Sequence, residues 1–175
     1  MKIIIYGSQY GTTRQYAEEL SKRTGIEAVE YTNIHDINQY DTIIYLGALY
    51  AGSVLGMKKT LNKIRNVRDK KVVIASVGLA DPNDKGNRDR IREEIKRQVH
   101  NCVYDKAKIY YLRGGIDYSK LSLKHKTMMA FIHRKVKVLC EEEKTAEIRA
   151  VIETYGKKVD YIDFDSLNPI IDYIQ

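Results

Sequence analysis

Four short runs dominate this chain: "KIIIY" at 2–6, "TIIYL" at 42–46, "KVVIAS" at 71–76 and "KIYYL" at 108–112. Each is almost continuously apolar, rich in β-branched or aromatic residues, and too short for a core helix. A strand with one wet face alternates polar and apolar residues; a strand covered on both faces does not. These runs therefore predict the interior strands of a parallel sheet with helices on both sides. "EAVEY" at 27–31 alternates and reads as an edge strand. Helical patterns fall between the strands, at Thr12–Thr24, Gly56–Val67 and Arg88–Val99, with Asn87 placed to cap the third. Strands alternating with helices predict a doubly wound α/β sandwich of three layers.

A chain of 175 residues suits one such domain and is long enough to need no disulfide or metal staple. Cys102 and Cys140 have no ligand spacing and read as buried thiols of a protein in a reducing cytosol. The first strand starts at once, and no apolar run approaches a membrane span of about 20 residues. A cytoplasmic location is expected. No metal site is expected.

The loop after the first strand, "GSQYGTT" at 7–13, combines glycines and hydroxyl residues at a strand-to-helix junction. Free backbone N–H groups and the helix dipole make such a junction an anion site. Gly7 and Gly11 let the backbone approach a ligand, and Ser8, Thr12 and Thr13 add hydroxyl donors. Without a lysine it is not a P-loop, and glycines four apart do not make the dinucleotide fingerprint. A receiver domain needs acidic residues where Gly7, Ser8 and Gly47 stand.

Ser8-x-x-Gly11-x-Thr13 resembles the flavodoxin loop that holds the 5′-phosphate of FMN. Tyr10 departs from the pattern, standing where a hydroxyl residue is usual. The resemblance implies FMN as cofactor and a five-stranded parallel sheet of order 2-1-3-4-5. Two further loops then face the flavin. Ala48, Leu49, Tyr50, Ala51 and Gly52 follow the third strand, and Val77, Gly78, Leu79, Ala80 and Asp81 follow the fourth. With Ser8, Gln9, Tyr10, Gly11, Thr12 and Thr13 they form the expected cofactor site. Tyr50 is available to stack on the ring, with Asp81 and the 113–118 loop near its exposed edge. No catalytic side-chain constellation is visible, as suits a protein whose cofactor carries the redox chemistry.

The net charge of +7 is concentrated. Between Tyr118 and Cys140 there is no acidic residue, while Lys120, Lys124, Lys126, Arg134, Lys135 and Lys137 are all basic. Over Leu121–Leu139 a long helix is predicted, with Leu121, Met128, Ile132 and Leu139 on one stripe and Met129 and Val136 beside it. Such a basic amphipathic segment suits an anionic membrane surface, an acidic redox partner, or a solvated helix face packed on the sheet. The tyrosines fall mostly in strands, so no nucleic-acid partner is expected. "GGIDYSKLSLKHKTMMAFIHRKV", with "LGALYAG" and "SVGLAD", resembles bacterial quinone-dependent protoporphyrinogen dehydrogenases of the flavodoxin type. That resemblance implies electron transfer to a quinone. The alternative is a soluble electron carrier. The basic insertion is placed at about 113–140. An acidic helical stretch, 141–156, lies outside the resemblance. "KKVDYID" reads as a connection and Ser166–Ile174 as a last helix.

Overall fold

In the computed structural model, residues 1–50 and 52–175 are described. Five parallel strands form the central sheet: β1 (Lys2–Gly7), β2 (Ala28–Glu30), β3 (Thr42–Tyr50), β5 (Lys71–Gly78) and β6 (Ala107–Arg113). Their order is β2-β1-β3-β5-β6, which is the expected 2-1-3-4-5 path. A short β4 (Ser53–Val54) folds back antiparallel on the end of β3.

Alternation along each strand divides the core between the two faces. Ile3, Ile5, Ile43, Tyr45, Val72 and Ile74 point to one side. There they meet α2 (Met57–Leu61), α3 (Lys85–Gln98) and α4 (Asn101–Lys106) through Met57, Leu61, Ile91, Ile95 and Val103. Ile4, Ile44, Leu46, Val73, Ala75 and Val77 point to the other. Their partners are Tyr16, Ala17 and Leu20 of α1 (Thr12–Thr24) and Ile170 and Ile174 of α7 (Asn168–Ile174). Most of these side chains are fully shielded from solvent, each burial stabilising the fold by roughly 1.5–3 kcal/mol.

Several expected boundaries shift for local reasons. The second helical pattern shortens to α2, after which the chain tightens into a turn at Val67–Asp69. The cap of α3 is Asp84, whose carboxylate accepts from the amide of Asn87 at 2.6 Å. Asn87 lies inside the helix instead. Cys102 and Cys140 are both exposed: Val103 takes the buried position in α4, and Cys140 leads an exposed acidic turn at Glu141–Glu143.

The chain after β6 departs furthest from expectation. β7 (Gly115–Asp117) leads into α5 (Leu123–Lys137), which is capped by Ser122. Residues 141–156 contribute α6 (Ala146–Thr154), capped by Thr145. The supposed connection "KKVDYID" contains β8 (Lys158–Asp160), which pairs antiparallel with β7. The two strands fasten the base of the α5–α6 excursion, and the chain then returns to the sheet as α7. Stacking joins the arms: the His133 ring lies parallel to Tyr155 at 3.9 Å, and Tyr118 meets Tyr155 edge-on. Burial pushes the Tyr118 hydroxyl up to about 12.

Candidate functional site

β1 delivers the chain to the loop at its C-terminal end, where Gly7 is paired with Gly47 of β3. A β-carbon on Gly7 would lie 2.2 Å from the Leu55 carbonyl oxygen. Its glycine therefore serves the close approach of the chain after β4, and the expected role in approaching a ligand moves elsewhere. Gly11 is the cap of α1 with φ 96°, a backbone that other residues rarely adopt. It supplies no side-chain cap, so the first amides of α1 keep their free N–H groups at the loop. The amide of Gly11 itself donates to Ser8 Oγ at 3.1 Å.

α1 is held rigidly behind this loop. Thr13, Tyr16, Ala17 and Leu20 recur at helical spacing and are buried. The Tyr16 hydroxyl donates to the Arg113 carbonyl at 2.7 Å and accepts from the Asp163 amide at 2.9 Å. One phenol thus ties the phosphate-loop helix to the end of β6 and to the C-terminal segment. Desolvation raises its pKa.

A cavity of about 830 Å³ opens beside the loop. Ser8, Gln9, Tyr10, Thr12 and Thr13 line it from the first loop. Ala48, Leu49, Tyr50 and Gly52 line it from the second, and Val77, Gly78, Leu79 and Ala80 from the third. Ala51 lies outside the described residues. Two expected residues do not face the cavity. Gly11 forms the turn behind it. Asp81 spends its carboxylate on the Asn83 amide at 2.8 Å, and its carbonyl accepts from the Asn87 side chain at 3.2 Å, which fixes the loop before α3. From the 113–118 stretch, Gly114, Gly115 and Ile116 reach the cavity. Arg113 steadies the third loop by donating to the Leu79 carbonyl at 3.1 Å, its guanidinium lying over the Tyr161 ring.

Sequence reasoning missed the roof. α5 does not pack on the sheet; it spans the cavity mouth. Leu121, Met128, Met129, Ile132 and Val136 line the cavity, and Leu139 does not. Ile148 and Val151 of α6 complete the apolar lining, with α6 resting on α3. The spacing of apolar residues in 146–154 carried this signal, but only the fold shows that the stretch returns to the same opening. Tyr10 also acquires a partner. His125 of α5 hydrogen-bonds the Tyr10 hydroxyl through Nδ1 and the Tyr50 hydroxyl through Nε2, meeting both rings edge-on. The departure from the loop pattern at position 10 thus tethers the roof.

Residues 3–138 match the family model described as Flavodoxin domain. This chain belongs to that family. Among solved structures, the flavodoxin domain is similar to a flavoprotein of Bacteroides uniformis at 11% identity, with a TM-score of 0.47 over 65% of this chain and 90% of that one. It is also similar to a Lactobacillus acidophilus flavoprotein in complex with FMN, at 14% identity and TM-score 0.42, over 64% and 91%. A flavodoxin variant of Pseudomonas aeruginosa aligns at 16% identity and TM-score 0.36, over 75% and 93%. No curated protein matches the sequence.

The flavodoxin domain fits FMN on its own chemistry. Thr13 Oγ1 lies in a residue only 1% exposed, within the cavity lining, and has no hydrogen-bond partner among the described residues. A buried hydroxyl is rarely left unpaired, and a phosphate oxygen at the loop would satisfy it. The free amides of the first turn of α1 add neutral donors of the kind that bind phosphate without a cation. Arg14, the nearest cation in the sequence, turns outward to Glu18 at 2.6 Å.

Proposed function

We propose that this flavodoxin domain is an FMN-dependent oxidoreductase that exchanges electrons with a quinone, in the manner of the protoporphyrinogen dehydrogenases it resembles. One observation carries the reading: the cavity has a polar, phosphate-loop end and an apolar roof of methionine, isoleucine and valine. Bound flavin supplies two-electron redox chemistry. The chain's own contribution is positional. Ser8, Thr12, Thr13 and the α1 amides hold the phosphate end. Tyr50, Leu49 and Leu79 would line the place of a flat ring, and Met128, Met129, Ile132 and Val136 would keep water from it. A flat apolar partner suits that roof, since flexible methionines adapt to such a shape.

The outer side of α5 supports a membrane-surface location. Leu123 is 83% exposed, Phe131 59% and Val138 82%. Lys120, Lys124, Lys126, Arg134, Lys135 and Lys137 surround them, and among the described residues none of the six makes an ion pair. Uncompensated basic charge around exposed apolar side chains favours an anionic lipid surface, where a quinone resides. Among the described residues no helix is long and apolar enough to cross a membrane, so the contact proposed is peripheral. The same basic face favours a second reading, a soluble carrier that docks on an acidic redox protein.

The test is direct. The protein is reconstituted with FMN and supplied with protoporphyrinogen and a menaquinone analogue. Turnover that requires both supports the dehydrogenase. Loss of electrons only to an acidic carrier protein supports the second reading, and failure to take up FMN refutes both.

A further inference from the structure

The contact between Tyr50, His125 and Tyr10 is continuous and crosses the roof. Tyr50 lines the cavity and is half-buried; Tyr10 is 42% exposed. Between them His125 uses both ring nitrogens, Nε2 toward Tyr50 and Nδ1 toward Tyr10. A neutral imidazole has one N–H donor and one acceptor nitrogen, and each phenol both donates and accepts. A chain of this composition can hand a proton along; the phenols are then restored by rotation of their hydroxyls and the imidazole by return to its starting tautomer. Among the described residues, the other three histidines lie away from the cavity lining.

We infer that Tyr50, His125 and Tyr10 form a proton path between the cavity and solvent, with His125 as its central relay. The inference rests on the proposed flavin reading. Reduction of a quinone consumes two electrons and two protons. A bound, reduced flavin would supply the electron pair together with one proton. The second comes from Tyr50: its O–H bond breaks as an O–H bond forms on the quinone oxygen. Tyr50 takes a proton from His125, His125 takes one from Tyr10, and Tyr10 recovers one from water. The net change is one proton moved inward, with no residue oxidised or reduced. When a donor is oxidised, the same path runs outward.

Roof attachment alone would also explain the contacts, so the experiment separates the two roles. FMN-loaded wild type, His125→Gln and Tyr50→Phe are photoreduced and mixed with menadione in H2O and in D2O by stopped flow. Glutamine can hydrogen-bond both phenols but cannot relay a proton. General acid–base groups contribute about 10²–10⁴-fold, so both variants should reoxidise about 100-fold more slowly at saturating menadione. His125→Gln should retain FMN affinity within about twofold, and imidazole added to His125→Gly should restore part of the rate. Independently of turnover, the wild type should show a slowly exchanging, low-field imidazole N–H resonance that Tyr10→Phe or Tyr50→Phe removes. Variants that bind FMN and reoxidise at the wild-type rate with the wild-type isotope effect would overturn the path and leave the flavin reading standing. A wild type that binds no FMN would overturn both.

Discussion

Replacing Thr13 by valine should move two measurements in opposite directions. The side chain is buried, its hydroxyl has no partner among the described residues, and it lines the cavity beside the first turn of α1. Leaving a buried hydroxyl unpaired costs about 1–3 kcal/mol. Valine keeps nearly the same shape and removes that cost, so the apo protein should become more stable by about 1 kcal/mol or more. For a domain of this size that is a rise of about 2–4 °C in Tm per kcal/mol. In the complex the same hydroxyl would donate to a phosphate oxygen. A hydrogen bond to a charged group contributes about 1.5–3 kcal/mol, so FMN affinity should fall by about 10- to 150-fold. Quenching of FMN fluorescence gives the affinity, and thermal melts of the apo protein give the stability. Thr24 at the far end of α1 is the control. Its hydroxyl donates to the Leu20 carbonyl at 2.7 Å and accepts from the Ile26 amide at 3.3 Å. Thr24→Val should therefore lower Tm and leave FMN affinity unchanged. A Thr13→Val protein that melts earlier than wild type and binds FMN normally would refute the phosphate assignment of Thr13.

Flavin released by heat should be FMN at one per chain, because one phosphate loop and no second nucleotide fingerprint are present; chromatography showing FAD would contradict the site. Gly7→Ala should destabilise the fold by about 1–3 kcal/mol, as overpacking does, since its new methyl would lie 2.2 Å from the Leu55 carbonyl oxygen; denaturant titration reads this directly, and a neutral result would mean that the Leu55 carbonyl does not sit against the end of β1. Changing Lys120, Lys124, Lys126 and Lys137 to glutamine should weaken salt-dependent sedimentation with anionic vesicles and leave FMN content unchanged. Wild-type binding should itself weaken as added salt shortens the Debye length from about 10 Å at 0.1 M. Equal sedimentation of the two proteins would reduce the basic face to a solvated surface.

The sheet was legible in the sequence because its signal is local. Ile3–Ile5, Ile43 and Ile44, and Val72–Ile74 are buried on both faces of the sheet, and such burial leaves no polar residue in the run. α1 was legible to the residue, bounded by Gly11 and Gly25, both in left-handed conformations. What escaped depended on partners distant in sequence. β8 is three residues long with a single apolar residue, Val159, and it is a strand only because β7 lies beside it, more than forty residues earlier. Gly7 read as a ligand glycine because the Leu55 carbonyl that needs the space arrives from the next crossover. Asp81 read as a flavin neighbour from its place in the loop. Its carboxylate instead closes a turn on Asn83, a choice that aspartate makes wherever a free amide lies two residues ahead.

The roof and the phosphate loop explain one another. A tyrosine at position 10 is a poor replacement for a small hydroxyl residue if the loop only binds phosphate. Its hydroxyl meets His125 and the Ser122 amide instead, and it stands 42% exposed at the rim. A histidine in the first turn of a basic helix is likewise unremarkable by itself. Together they make one contact, and that contact takes in Tyr50 from the second loop. The arrangement joins three segments far apart in sequence at the point where the cavity meets solvent. His125 holds α5 to both loops at this point. The seal on the cavity and the proton path are therefore the same three side chains. The path runs through the contact that tethers the roof, so proton delivery and exclusion of water are linked by construction.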